Sequence, residues 1–430
     1  MSAMFTKAAR YWVTAQCLTP FRTGGVEGAV DSVLRDWSGR PFIQGTSLAG
    51  ALRGWLESRD PEEAEKLFGS QRAGGSLIIS DGMFEPKARQ YIRPRLRLNG
   101  ATGAAADRGK FDMAHIAPGE TLTFELVWLG EEATQSQLES VEQLLAALHA
   151  GEIRLGAQKT NGFGRVELTV KKRRYSLEQE EDRIAWLEDR EDGHELQLPP
   201  LYRRNQVVFT VDGRTDAILV KSGSRELRGV RGSKRSVITP LEEEGQAIVP
   251  GSSVKGAVRA RVTAIASLLG LDETVIHGLF GRGIQGKQDG THDDNGMQGQ
   301  VWFEDVHLSG KKREITRIRI NRLTGGVIRQ GLFVEEPLES AVTLRIALPA
   351  EETVGCALLL YALRDLGLGL YNLGSGGAVG RGYLTVDTIQ AQAPDGETAT
   401  LRFDREGNCT MHDPSGLFSQ WLNAIGGDEM

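Results

Sequence analysis

The stretch AIVPGSSVKGAVRARV, Ala247 to Val262, repeats the pattern of PFIQGTSLAGALRGWL, Pro41 to Leu56, and this repetition decides the reading of the chain. Working outward, LFGS from Leu67 is matched by LFGR from Leu279, and GSLIISD ending at Asp81 by GQVWFED ending at Asp305. RLRLNGATG from Arg95 is matched by RIRINRLTG from Arg317, and LGAQKTNGFGRVEL from Leu155 by LGSGGAVGRGYLTV from Leu373. Segments that recur in one order along the chain mark a tandem duplication.

Each copy reads as strand, helix, two strands, helix, strand. In the first, the alternation of YWVTAQC predicts a strand, a helix follows Thr46, and SLIIS, RLRLN and TLTFELVW carry strand periodicity. Leu138, Val141, Leu144, Leu145 and Leu148 fall on one face of a helix over 135–149, and a strand over 165–170 closes the unit. The order is βαββαβ, so the expected class is α+β: two tandem ferredoxin-like domains, each with helices on one sheet face and the other face open. The expected bounds are 1–172 and 204–390, with a charged linker over 173–203 and a tail over 391–430. Arg282 to Gln300, rich in glycine and polar residues, reads as a loop inside the second domain.

The 430 residues carry a net charge of −6, which argues mildly against a nucleic-acid partner. Distribution matters more than the sum. Acidity gathers in LEQEEDRIAWLEDREDGHE, Leu177 to Glu195, while arginines gather at Arg93, Arg95 and Arg97 and between Lys311 and Arg322. No apolar run approaches the roughly 20 residues of a membrane span and the start lacks a secretion signal, so a cytoplasmic protein without a membrane partner is expected. Cys17, Cys356 and Cys409 lie far apart without C-x-x-C spacing, so no structural zinc is expected.

Gly45, Thr46 and Ser47 in the first copy, and Gly251, Ser252 and Ser253 in the second, stand at strand-to-helix junctions. Free amides and hydroxyls there can hold a phosphate, with Arg53, Lys255 and Arg259 downstream, or serve as ordinary helix caps. The glycine loops that close each copy remove side chains where another backbone comes close, and they place Lys159, Arg165 and Arg381 beside it. Neither loop has a Walker or dinucleotide pattern. Arg317, Arg319 and Arg322 with Asn321, and Arg95 and Arg97 with Asn99, are candidate ribose or phosphate contacts; a turn asparagine is the alternative. Asp81 and Asp305 recur at matching strand ends, where a carboxylate more often caps a turn than ligates metal.

The succession PGSSVKGAVR, LFG, GQVWFED, RINRLTGG with GLF close behind, and a glycine loop resembles the RAMP superfamily, above all the backbone proteins of type III CRISPR effector complexes. The likeness covers roughly residues 7–170 and 204–388. It implies two fused RAMP domains that grip a guide RNA by its backbone and leave bases free to pair with a complementary target RNA. It also implies a thumb-like hairpin that displaces bases, and as neighbours a large polymerase-like subunit, other backbone subunits and a small subunit. In catalytic members an aspartate before the PGSS-type strand promotes metal-dependent cleavage, and Asp31 of GAVDSVLRD takes that position, with Mg2+ as the implied cofactor. The second copy offers RGSKRSVITP instead, where Lys234 and Arg235 suit phosphate binding and no carboxylate corresponds. Two alternatives stand beside this: a scaffold that binds guide RNA without cutting, and a metal-independent guide-processing ribonuclease drawing on Tyr11, Lys110 or His115.

Overall fold

A computed structural model describes residues 5–24, 33–98, 105–131, 135–201, 205–228, 234–283, 296–404 and 406–426. The chain forms two compact units, one of 1–95, 110–159 and 163–204, the other of 96–109, 160–162 and 205–430. The strands and helices of the first copy are β1 (Lys7–Cys17), β2 (Phe42–Ile43), α1 (Gly45–Glu57), α2 (Pro61–Phe68), β3 (Leu77–Ile79), β4 (Gly82–Phe84), β5 (Gln90–Leu98), β6 (Ala105–Ile116), β7 (Thr121–Gly130), α3 (Gln135–Ala150), β8 (Val166–Ser176), α4 (Glu180–Leu187) and β9 (His194–Glu195). The second copy begins with β10 (Gln206–Ile218), β11 (Lys221–Arg228), β12 (Lys234–Pro240), β13 (Glu242–Glu243), β14 (Gln246–Val249), α5 (Gly251–Leu268) and α6 (Glu273–Phe280). It continues with β15 (Gly281–Arg282), β16 (Met297–Gln298), β17 (Trp302–Phe303), β18 (Val306–Leu308), β19 (Lys311–Lys312), β20 (Ile315–Ile320), β21 (Val327–Glu335), β22 (Leu338–Pro349), α7 (Thr353–Gly367), β23 (Thr385–Gln392), β24 (Thr398–Phe403), β25 (Cys409–His412) and α8 (Leu417–Asn423).

Both main sheets are antiparallel, and the run β4-β7-β1-β8 of the first corresponds to β17-β22-β10-β23 of the second. In the first the order is β2-β4-β7-β1-β8-β9, and in the second β17-β22-β10-β23-β24-β25. The corresponding four are the 4-1-3-2 arrangement that a βαββαβ order produces. Val13 lies opposite Phe124 in one sheet and Val211 opposite Leu344 in the other. Alternation sends Ala9, Tyr11, Val13, Ala15 and Cys17 of β1 into the core and leaves Arg10, Trp12, Thr14 and Gln16 on the opposite face.

The helices follow from spacing. Leu48, Leu52 and Leu56 sit four residues apart on the buried face of α1. Asp60 caps α2 by accepting from the Glu63 amide at 3.0 Å, with Pro61 in the first turn. In the second unit, α7 is apolar on nearly every side and buried accordingly, and Phe418 and Trp421 of α8 pack into the same core, Trp421 against Phe209.

Three segments differ from expectation. RLRL, 95–98, belongs to β5, which among the described residues pairs with β6 alone and forms a separate two-stranded ribbon; its apolar residues Ile92, Leu96 and Leu98 are exposed because no core meets them. The expected linker is part of the first unit: β8 runs on to Ser176, β9 pairs with β8, and α4 packs beside Tyr175. Glu178, Asp182, Asp189 and Asp192 of this segment are held by cations of β1 and β8, a tie that its reading as a linker does not include. The stretch after Gln390 extends the second sheet through β24 and β25. The core of the glycine-rich loop, 284–295, lies outside the described residues.

Candidate nucleic-acid interface

The two strand-to-helix junctions are built alike. The amide of Gly45, first residue of α1, donates to Asp81 Oδ1 at 2.7 Å, and the amide of Gly251, first residue of α5, donates to Asp305 Oδ1 at 2.7 Å. A Cβ at Gly45 would stand 2.6 Å from the Ile79 carbonyl oxygen, and one at Gly251 2.4 Å from that of Phe303, so only glycine permits the approach. Asp81 and Asp305 are therefore the caps of these helices, each carboxylate placed where the helix dipole favours negative charge. The first amide of each helix is already taken. What remains for a ligand is the outer rim: Thr46 and Ser47 are exposed, and Ser252, Ser253, Lys255 and Arg259 are half-buried. Within the second unit, Lys255 Nζ donates to Thr160 Oγ1 at 2.9 Å. Arg53 lies 3.7 Å from Glu57 on the next turn of α1.

The glycine loops diverge beneath a shared backbone. Gln158 and Gly376 hold the same loop position and both have positive φ, 64° and 89°. Five residues further on, Phe163 in the first copy is fully buried, with the Arg93 and Arg95 guanidinium groups 5.1 and 5.9 Å from its ring and His115 at 5.5 Å. Arg95 Nη1 also donates to Gln158 Oε1 at 3.2 Å. Lys159 follows in a single 3-10 turn, and burial lowers the pKa of its ammonium. In the second copy the position of Phe163 is held by Arg381, which is 3% exposed and points its guanidinium inward to Glu335 at 2.6 Å rather than outward to a ligand. Glu335 also takes Lys221 at 3.0 Å and Arg317 at 3.8 Å. Burial acts to raise that carboxyl, but hydrogen bonds from Arg381 and Lys221 prevail and hold it below the usual range.

Of the candidate contacts whose side chains are described, the cations that face solvent are on the β5-β6 ribbon and at the β20 edge of the four-stranded sheet β11-β12-β21-β20. Arg97 on β5 and Arg319 on β20 are exposed, Arg319 lying 5.7 Å from the Phe333 ring. Arg322 stands exposed at the turn after β20, where Asn321 Oδ1 accepts from the Leu323 and Thr324 amides at 2.9 and 3.2 Å, the turn role that was its alternative. Between and beside these arginines lie Ile318, Ile320, Leu323, Val327 and Ile328, all at least 44% exposed. The sequence hid this feature, because apolar alternation reads the same in a ribbon as in a packed sheet.

Asp31 and Asn99 lie outside the described residues, and of Lys234 and Arg235 only the backbone, on β12, is described. Arg165 donates its backbone amide to Thr19 Oγ1 at 3.0 Å. Among the described residues no group of three or more His, Cys, Asp or Glu side chains is placed to hold a metal ion, and no helix is long and apolar enough to cross a membrane. Of the alternative ribonuclease residues, Tyr11 is buried in the core, where desolvation raises its phenol, His115 is buried against Phe163, and Lys110 is exposed on β6.

The profile of the RAMP superfamily matches residues 14–167 and again 231–385, the two copies in turn. This chain belongs to the RAMP superfamily. No curated protein matches it in sequence. Among solved structures, this RAMP protein is similar to a chain in the cryo-EM structure of the type III-B Cmr-beta bound to cognate target RNA. That similarity is 16% in identity, with a TM-score of 0.33, over 39% of the present chain and 61% of the other.

Proposed function

We propose that this tandem RAMP protein is a backbone subunit of a type III CRISPR effector complex that binds guide RNA and cleaves complementary target RNA through its first domain. The observation that carries the binding half is a strand pair outside the main sheet in each copy: β5 with β6 as a two-stranded ribbon, and β20 with β21 at the edge of the four-stranded sheet β11-β12-β21-β20, presenting exposed Arg97 in the first and exposed Arg319 and Arg329 in the second beside exposed apolar side chains. Guanidinium groups neutralise phosphates without reading sequence, and apolar side chains between them suit the faces of unstacked bases. Duplication then supplies two such grips along one RNA.

The cleavage half rests on Asp31 and on the family resemblance of the residues around it. When bound, Mg2+ would supply charge stabilisation at the scissile phosphate. The part assigned to this chain is to offer the Asp31 carboxylate to the metal or to the target 2′-hydroxyl, while the ribbon holds the RNA in register. The second copy, with Arg235 in the corresponding stretch, binds and does not cut. Large, small and other backbone subunits are the proposed neighbours.

The test maps cleavage products of an end-labelled complementary RNA against assembled complexes. Asp31→Ala removes one cut and leaves guide and target affinity nearly unchanged, since a contact made in the transition state governs rate and not ground-state binding. Chelation of Mg2+ removes the same cut, and Arg235→Ala weakens RNA binding with every cut retained. Retention of all cuts in Asp31→Ala reassigns the chain as a scaffold.

A further inference from the structure

The acidic segment Leu177–Glu195 holds nine carboxylates against two arginines, a net charge of −7 with His194 neutral, in a chain whose total is −6. It lies against the sheet, although all its acidic residues but Asp182 keep an exposed edge. On the face of the first sheet turned away from the helical core, register places Arg10 of β1 directly opposite Arg173 of β8, with Trp12 opposite Lys171 and Ala8 opposite Tyr175. Like charges directly opposite one another weaken a sheet, so this strip needs an anion. The segment provides it: Arg10 is paired with Asp189, and Arg173 with Asp192 and, at 3.4 Å, with Asp182. Lys7 lies 3.7 Å from Glu178.

The apolar part of this contact is small, confined to Ala8, Tyr175 and Ala185 with Leu129, Leu177 and Trp186 at their edge. The Arg10 guanidinium lies near two indoles, 5.8 Å from Trp12 and 4.8 Å from Trp186. Gly193 passes flat against Trp12, where a Cβ would come within 2.5 Å of the ring. The segment is thus held chiefly by ion pairs over a strip of guanidinium groups and aromatic rings, the combination that binds single-stranded nucleic acid by phosphate pairing and base stacking.

We propose that the strip Arg10, Trp12, Lys171, Arg173 and Tyr175 is a second single-stranded RNA platform, and that the acidic segment is its intramolecular occupant, exchanging with RNA. The choice of RNA as the polyanion rests on the function proposed above; the existence of an exchangeable anion site does not. Once the segment leaves, half-buried Trp12 and Tyr175, which is buried beneath it, would take bases while Arg10 and Arg173 take successive phosphates.

The test uses the full chain and a labelled oligouridine of roughly a dozen nucleotides. The variant Glu178→Gln, Asp182→Asn, Asp189→Asn, Asp192→Asn should bind it about tenfold or more tightly than the wild type, with a log–log salt slope steeper by about 3. Adding Arg10→Ala and Arg173→Ala should erase that gain, although the same pair in the wild-type background changes little. No gain on neutralisation, or a gain that survives loss of both arginines, overturns the proposal, and tighter binding of polyglutamate than of RNA overturns RNA as the occupant. Should the fourfold variant fail to fold, Gly193→Ala lifts the segment from Trp12 by crowding alone, and its gain or lack of gain decides in the same way. RNA binding by the neutralised variant and not by the wild type would overturn the ribbon grip and leave the platform standing. Tight wild-type binding with no gain would do the reverse.

Discussion

Phe163 and Arg381 occupy the same step of the same glycine loop, and almost nothing else about their surroundings agrees. Around Phe163 the first copy gathers Arg93, Arg95 and His115 on an aromatic face. Around Arg381 the second copy gathers Glu335, Lys221 and Arg317, a buried carboxylate with three cations. Arg95 and Arg317 are themselves matched positions, and His115 and Glu335 each stand eight residues before Thr123 and Thr343, the neighbours of Phe124 and Leu344, which lie opposite Val13 and Val211. Three corresponding positions thus meet under both loops, once through ring contacts and once through charge. A buried charge cluster tolerates loss of a member poorly, whereas an aromatic cluster is limited mainly by volume. Duplicated backbones therefore do not carry duplicated consequences.

Exchange of the two chemistries is the sharpest way to break this comparison. Arg381→Phe removes the nearest partner of Glu335 and should cost about 3 kcal/mol, while Phe163→Leu, which keeps an apolar side chain in place, should cost about 1 kcal/mol. Thermal unfolding of the full chain checks this, and equal losses would mean that the charge cluster has no special standing. Caps shared by both copies should behave alike: Asp81→Ala and Asp305→Ala each leave one helix amide without its carboxylate, at about 1 kcal/mol apiece. A difference well beyond that value would show that one junction carries more than a cap.

Acidification gives the smallest effect and sharpens the contrast by sign. The Glu335 carboxyl is held below its ordinary value in the folded chain, so its contribution is complete above the unfolded value of about 4.3 and is lost as pH falls through the lower, folded value. Stability of the second unit should thus be flat in this respect from neutrality to about pH 5 and decline below about pH 4. Arg381→Phe should flatten that decline. Hydrogen exchange of β21 and β22 followed against pH reads it directly, and an unchanged acid limb in the variant would remove Arg381 as the cause.

The sequence by itself determined the duplication, the βαββαβ order and the sheet faces, because these depend on local periodicity and on segments that recur in register. It also placed the glycine junctions, whose requirement for absent side chains is written in the residues themselves. Ribbon against main sheet was not legible: RLRLN and TLTFELVW alternate alike, and only tertiary pairing gives β7 a core and β5 none. Nor was the fate of charge. Arg381 and Arg319 are indistinguishable as letters, yet one is buried on Glu335 and the other faces solvent beside Phe333. The acidic stretch read as a charged linker because net charge carries no information on partners distant in the chain. Tertiary structure decided that point by bringing Arg10 opposite Arg173 across two strands, 163 residues apart in sequence, and so creating a place where carboxylates find paired guanidinium groups.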